Sequence, residues 1–264
     1  MNQSILERQF ESIGARVKTG PLDRGHLRIN VLRDLRGEYF DLRINASVVK
    51  DVFALNASRK DRHLLLLAKT GDDNGVVQKQ RFLCGHDEKA WFVAAIPGTA
   101  STIRSAMEAL KPALVRQELI RKRVRSRAQN RRKNEAFVRQ GEWFFVPVPS
   151  LVVDEAQVLH HEPLQRGAGK PHRCEFLYRR GGEKVYVSPP YPNGVTEQTY
   201  AQLLGRKPSL RKLRWVPMRR NAGVYVKGRV SHPDHRTIHL NGWHQVVMNT
   251  ETQAPAMRHV AFLD

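Results

Sequence analysis

The sequence predicts an α+β protein, mostly antiparallel β: a small N-terminal sheet with helices, an arginine-rich helical connector, and a C-terminal β-sheet or barrel-like domain. Three observations carry this reading. Short runs rich in Val, Ile, Tyr, Phe and Trp recur between Gly, Pro, Asn and Asp; helical periodicity is confined to a few short segments; and one arginine-rich stretch separates the two β-rich parts. The expected organisation is a helix-like segment at 1–19, an α+β domain at 20–115, a basic connector at 116–140 and a β-rich domain at 141–264.

In the first part, Leu27, Ile29 and Val31 alternate with polar neighbours, a turn falls near Arg36 and Gly37, and Tyr39, Leu42 and Ile44 follow, which is a hairpin pattern. The apolar run from Arg62 to Lys69 has the length of a central strand, and Gln78 to Ile96 reads as two strands joined by a turn at Gly85-His86-Asp87-Glu88. Ser101 or Thr99 then caps a helix whose stripe is Ile103, Met107, Leu110 and Leu114, with Pro112 as a place to kink or divide it.

From Arg116 to Arg139 there are ten Lys or Arg against two Glu, and between Ile120 and Asn134 only Ile120, Val124 and Ala128 are apolar. Such a segment is expected as a solvated helical extension. In the last part, eight short β-like runs follow one another. A single helix capped by Thr196, with Tyr200, Leu203 and Leu204 on its apolar side, interrupts them, and Pro147, Pro149, Pro189, Pro190 and Pro192 mark strand ends.

The net charge of +20 over 264 residues is best explained by a polyanionic partner. The first twenty residues carry Glu7 and Glu11 and lack the apolar run of a secretory signal. No stretch reaches a membrane-spanning length, and no basic amphipathic helix with a broad apolar face is evident. A cytoplasmic protein with no membrane partner is therefore expected. Cys84 and Cys174 read as reduced thiols.

Nucleic acid is the expected partner, with RNA or single-stranded DNA favoured over duplex DNA because no recognition helix is evident. Phosphate contacts are expected from Arg121, Lys122, Arg123, Arg125, Arg127, Arg131, Arg132 and Lys133 in the connector. A second set comes from Arg211, Lys212, Arg214, Arg219, Arg220, Lys227 and Arg229, within a stretch from Arg206 to Pro233 that holds no Asp or Glu. Trp215 and Tyr225, interleaved with these charges, either stack on bases or face a core. A scaffold subunit of a larger ribonucleoprotein or mobile-element complex fits the same charge.

The other function class is an enzyme, a histidine-dependent nuclease or phosphodiesterase. Residues 232–246 hold His232, His235, His239 and His244. Asn241-Gly242 is a two-residue hairpin signal, because both positions of a type I′ turn need positive φ. That hairpin would oppose His239 and His244 with Cβ atoms about 4.5–5.5 Å apart, and would leave His235 about 13 Å further along the strand. His239 and His244, with His235 further along the same face, are thus candidate acid/base groups. A divalent metal would need a remote third ligand such as His160, His161 or His172, so no metal residue is assigned and a divalent metal is not the favoured cofactor. The plainer reading is that these histidines stack, hydrogen-bond or touch a phosphate beside Arg236.

The segment Asp234-His235-Arg236-Thr237-Ile238 resembles the half-motif of the histidine phosphoesterases, His-x-Thr before an apolar residue. That class needs two such elements, and Pro171 to Leu177 offers Cys174 where Ser or Thr is wanted. Two further constellations stand beside it. Cys84-Gly-His86 with His172-Arg-Cys174 has the inventory of a structural zinc site, and His86-Asp87-Glu88 is either a carboxylate-assisted acid/base group or an ordinary polar turn.

Overall fold

A computed structural model describes residues 3–71, 77–165 and 170–253. The chain opens with α1 (Gln3–Ser12), β1 (Val17–Pro21), β2 (Leu27–Asp34), β3 (Gly37–Ile44), β4 (Val49–Ser58), β5 (His63–Gly71), β6 (Val77–Asp87) and β7 (Ala90–Ile96). Helices α2 (Ile103–Ala109) and α3 (Ala113–Arg121) follow, then β8 (Val138–Gln140), β9 (Trp143–Pro147), β10 (Leu159–Leu164) and β11 (His172–Arg180). The last elements are β12 (Glu183–Ser188), β13 (Tyr191–Thr196), α4 (Glu197–Arg206), β14 (Val216–Arg220), β15 (Gly223–His232) and β16 (His235–Met248).

The fold is α+β, and every strand pairing is antiparallel except the parallel pair β1 and β3. The N-terminal half holds two sheets, ordered β1-β3-β2 and β4-β5-β6-β7, where the sequence suggested one. Phe10, Phe40, Leu42, Leu64 and Leu66 form a core between α1 and these sheets, and α2 covers the other face of β5 and β6 through Ile103, Ala106, Leu65 and Leu83. The expected hairpin of β2 and β3 is present with Asp34 opposite Gly37. The helix cap is Thr102 rather than Ser101 or Thr99. Its hydroxyl accepts from the Ser105 N–H while Ser105 bonds back to it, and Pro112 ends the first helix and precedes α3.

The C-terminal half holds an open six-stranded sheet ordered β10-β11-β15-β16-β9-β8 and a separate three-stranded sheet ordered β13-β12-β14. The larger one does not close into a barrel among the described residues. The helix capped by Thr196 is α4, with the Thr196 hydroxyl accepting from the Thr199 N–H.

The connector is not the solvated helix that its charge suggests. Helix α3 stops at Arg121, and Arg123 then takes a left-handed φ of 51°. Val115, Leu119, Val124, Ala136 and Phe137 bury themselves against Phe144 and Val146 of β9. The few apolar residues of the segment are spaced so that, once the chain turns at Arg123, they meet on one side. Periodicity along a straight helix does not show this.

Candidate metal centre

In the six-stranded sheet β11, β15 and β16 are neighbours. His172 starts β11, His232 ends β15 and His235 starts β16, so three imidazoles come from the same end of three adjacent strands. His232 and His235 pair directly across the two-residue turn Pro233-Asp234. One nitrogen from each of His172, His232 and His235 lies within 4.8 Å of the others, the convergent set of such donors among the described residues. The rings stand nearly face to face: the His172 and His232 centroids are 4.2 Å apart, and those of His172 and His235 are 5.7 Å apart.

His172 is 1% exposed, and neither of its ring nitrogens has a hydrogen-bond partner. Leaving such a buried group unpartnered costs about 1–3 kcal/mol, so it asks for an explanation. His235 has a different environment. Its Nδ1 lies 3.6 Å from Oε2 of Glu88, a residue with φ of 57° on the turn between β6 and β7. Glu88 is held in turn by Arg132 and by the backbone N–H of Arg236. At that distance the carboxylate is a charged neighbour rather than a hydrogen-bond partner, and Nδ1 of His235 is, like both nitrogens of His172, buried without one.

The free Nε2 atoms of His235 and His172 both face Gly141, which has φ of 59° at the tip of the β8–β9 hairpin. A Cβ at that position would lie 2.8 Å from His235 Nε2 and 3.6 Å from His172 Nε2. Glycine keeps that ground clear. His232 is more engaged: Nδ1 accepts from the Asp234 N–H at 3.1 Å, and Nε2 lies 3.2 Å from the Lys170 carbonyl. The one proton of the neutral ring then sits on Nε2, so His232 would ligate an ion through Nδ1, giving up the Asp234 N–H.

Electrostatics favour neutral imidazoles. Burial, then the neighbouring His232 and His235, push His172 down to about 3. Burial and His232 likewise lower His235. Asp87, next to Glu88, stays ionised: burial opposes this, but Arg139 and Arg132 overcome it. Neutral imidazole is the metal-binding form. Two nitrogens on one tetrahedral zinc stand roughly 3.4 Å apart at Zn–N of about 2.0–2.1 Å. Reaching that spacing from nitrogens set within 4.8 Å of one another would require the stacked rings to turn so that their in-plane lone pairs converge. His235 borders a cavity of about 470 Å³ whose walls include Trp91, Phe92, Met107 and Phe144.

The expected pair of His239 and His244 does not form. Asn241-Gly242 is not a hairpin turn, because β16 runs through it. Only Gly242 of the two has positive φ, 85°, and Asn241 to Trp243 form a bulge opposite Lys227. His239 is exposed and pairs with Arg229; His244 is buried, opposite Val226 and Pro147. A bulge needs one left-handed residue where a type I′ turn needs two, and Asn-Gly serves either. Of the candidate remote ligands only His172 joins the cluster. His160 packs edge-on against Phe176, and His161 is exposed.

The two cysteines are buried in different cores, Cys84 between the N-terminal sheets and Cys174 within the six-stranded sheet, so they do not converge into a zinc site. Burial pushes Cys174 up to about 12. In the phosphoesterase-like elements the two histidines do come together, but the residues two further on do not. Cys174 turns its sulfur toward the His172 carbonyl, whereas Thr237 is exposed.

Among the cations singled out in the sequence, Arg132 binds Asp87 and Glu88, and Arg121 pairs with Glu118. Lys122, Arg123, Arg125, Arg127, Arg131 and Lys133 are exposed. Arg220 pairs with Glu183, and the Lys227 ammonium lies over the Phe176 and Trp243 rings. Arg211, Lys212, Arg214, Arg219 and Arg229 are exposed, and Tyr225 is half-buried near Tyr178. Trp215 stacks on Tyr191 and donates its indole N–H to the Leu210 carbonyl. Sequence reasoning set His172 and His235 in a pair of like elements but missed His232 as the third member of the cluster and Glu88 as the carboxylate beside His235. The signal available was the pair His232 and His235 flanking Pro-Asp, itself a turn dipeptide.

No protein-family model matches the chain, and comparison with curated proteins and with solved structures likewise finds no match. No helix of the described residues is long and apolar enough to cross a membrane.

Proposed function

We propose that this protein is a metal-dependent phosphodiesterase or nuclease whose divalent ion is held by His172, His232 and His235. The observation that carries the reading is the convergence of three imidazoles around a fully buried histidine with no partner for either nitrogen. Three protein donors leave a coordination position for water or substrate, and a zinc ion so held supplies a nucleophile at neutral pH and polarises a phosphoryl oxygen. Glu88 places a negative charge beside His235, Gly141 keeps the approach clear, and the large positive charge of the chain supports a phosphate-bearing substrate.

A metal-free reaction with these histidines as acid and base is less well supported. An imidazole pushed down to about 3 does not carry a proton to donate near neutral pH. The test is metal analysis of the purified protein, followed by hydrolysis of bis(p-nitrophenyl) phosphate and of a labelled RNA after chelation and after zinc or manganese is restored. Near-stoichiometric metal, with turnover lost on chelation and restored by the ion, is expected. Absence of metal binding in His-intact protein, or turnover that ignores chelation, would remove the proposal.

A further inference from the structure

Between β11 and β15 the chain leaves the six-stranded sheet and builds a separate arm, residues 183–220. Arg180 pairs with Gly223 at the end of the main sheet, and Glu183 pairs with Arg220 at the start of the ladder of β12 and β14. The arm therefore continues the β11–β15 ribbon outward. Gly181, Gly182 and Asn221, all with positive φ, make the bend. A Cβ on Gly182 would lie 2.8 Å from the Arg220 carbonyl oxygen, so the two chains cross there at a distance only glycine allows.

Helix α4 packs on β12 and β13, and a small aromatic core holds the arm together. Tyr186 stacks on Tyr200 with centroids 4.1 Å apart, Tyr200 meets Trp215 edge-on at 5.0 Å, and Trp215 stacks on Tyr191 at 5.3 Å. Of the apolar residues in the arm only Val185 is fully buried. Such an arm contributes little to the stability of the main sheet.

Its charge is lopsided. The two acids of residues 183–220, Glu183 and Glu197, are both consumed within the arm, by Arg220 at 2.5 Å and Lys184 at 2.8 Å. Arg206, Lys207, Arg211, Lys212, Arg214 and Arg219 remain exposed, and among the described residues none of the six has an ionic partner. Crowded cations repel one another, so an external polyanion relieves a standing cost.

We infer that the 183–220 arm is a docking site for the phosphate backbone of single-stranded nucleic acid, held mainly by Arg206, Lys207, Arg211, Lys212, Arg214 and Arg219. Three features select this occupant. Helix α4 carries Arg206 as its one basic residue, so α4 presents no cationic face to a duplex groove; Arg211 and Lys212 lie on a short 3-10 turn, Arg219 on a strand, and Lys207 and Arg214 between elements. Strand β14 is an edge, but Pro217, its second residue, lacks the N–H that an added protein strand would need. Trp215 is already stacked inside the arm, so the contacts are ionic and insensitive to base sequence.

The inference is independent of the metal centre, because it concerns binding rather than turnover. The full chain is titrated with fluorescein-labelled oligodeoxythymidylate and with a hairpin duplex, with chelator present, over a series of KCl concentrations. Binding of the single strand should weaken with a log–log salt slope of about 4, from about 0.7 per phosphate contact. Changing Arg211, Lys212, Arg214 and Arg219 together to Gln should lower the slope by about 3 and weaken binding at low salt by ten-fold or more. Changing Arg123, Arg125, Arg127 and Lys133 together to Gln is the control, with the slope lowered by less than about 1. Circular dichroism melts verify that both variants are folded. Equal losses in the two quadruple variants, tighter binding to the duplex, or no salt-dependent binding would overturn the inference.

Discussion

Oε2 of Glu88, on the turn between β6 and β7, lies 3.6 Å from Nδ1 of His235, at the start of β16. A carboxylate from the N-terminal half thus stands beside an imidazole of the C-terminal sheet, across 147 positions of sequence. The same carboxylate is tied to Arg132 and to the Arg236 N–H, so the contact is braced on both sides.

Glu88→Gln should keep the fold but lower metal affinity roughly 10–100-fold, the effect of removing an outer carboxylate from a ligating histidine. Competition with a chromophoric zinc chelator measures it. Unchanged affinity would show that Glu88 only closes a turn.

Gly141→Ala should lose metal binding more completely than its size suggests. The backbone there has φ of 59°, costly by about 1 kcal/mol for a residue with a Cβ, and the new methyl would sit 2.8 Å from His235 Nε2. Zinc titration by calorimetry, with a thermal melt to show the protein is folded, distinguishes a blocked site from an unfolded one. Binding equal to that of the parent would mean the imidazoles use other nitrogens.

The histidines divide into two groups by position. His172→Ala and His235→Ala should abolish chelator-sensitive turnover, while His239→Ala, at an exposed position on β16 facing Arg229, should leave it within about two-fold, as a surface change away from a site does. Phosphodiester hydrolysis by the three variants is the comparison. A loss confined to the His239 variant would move the site along β16, away from His235.

Acid should destabilise the metal-free protein over a defined window. His172 has an ordinary value of 6.5 and is lowered to about 3 in the fold, so the unfolded chain takes up this proton first as pH falls. Its contribution is complete above about 6.5, falls by at most roughly 1.4 kcal/mol per pH unit below it, and is gone near 3. Urea denaturation of chelated protein at several pH values tests this against His172→Leu, which should show the shallower dependence. Equal slopes would place the acid sensitivity elsewhere.

Phe137→Ala should cost about 3–5 kcal/mol in urea denaturation, because the ring is 1% exposed against Phe144 and its loss leaves a cavity. A cost near zero would mean that the arginine-rich segment is solvated after all.

Local chemistry made much of this molecule legible from its residues alone. The β2–β3 hairpin, the β5 strand, the Thr196 cap and the division of the helices at Pro112 are set by neighbours a few positions apart. The excess of positive charge and the density of histidines between His232 and His244 are properties of composition. Which histidines meet is another matter. Pro233-Asp234 and Asn241-Gly242 both carry turn chemistry, and the choice between them depended on β16 pairing with β15 on one side and β9 on the other. His172 and Glu88 reach the same place only through strand order and through packing between the two halves of the chain. Turn and cap preferences act over a few residues, whereas strand pairing and burial join positions a hundred or more apart. The candidate site, unlike the elements that carry it, was therefore decided by the tertiary structure.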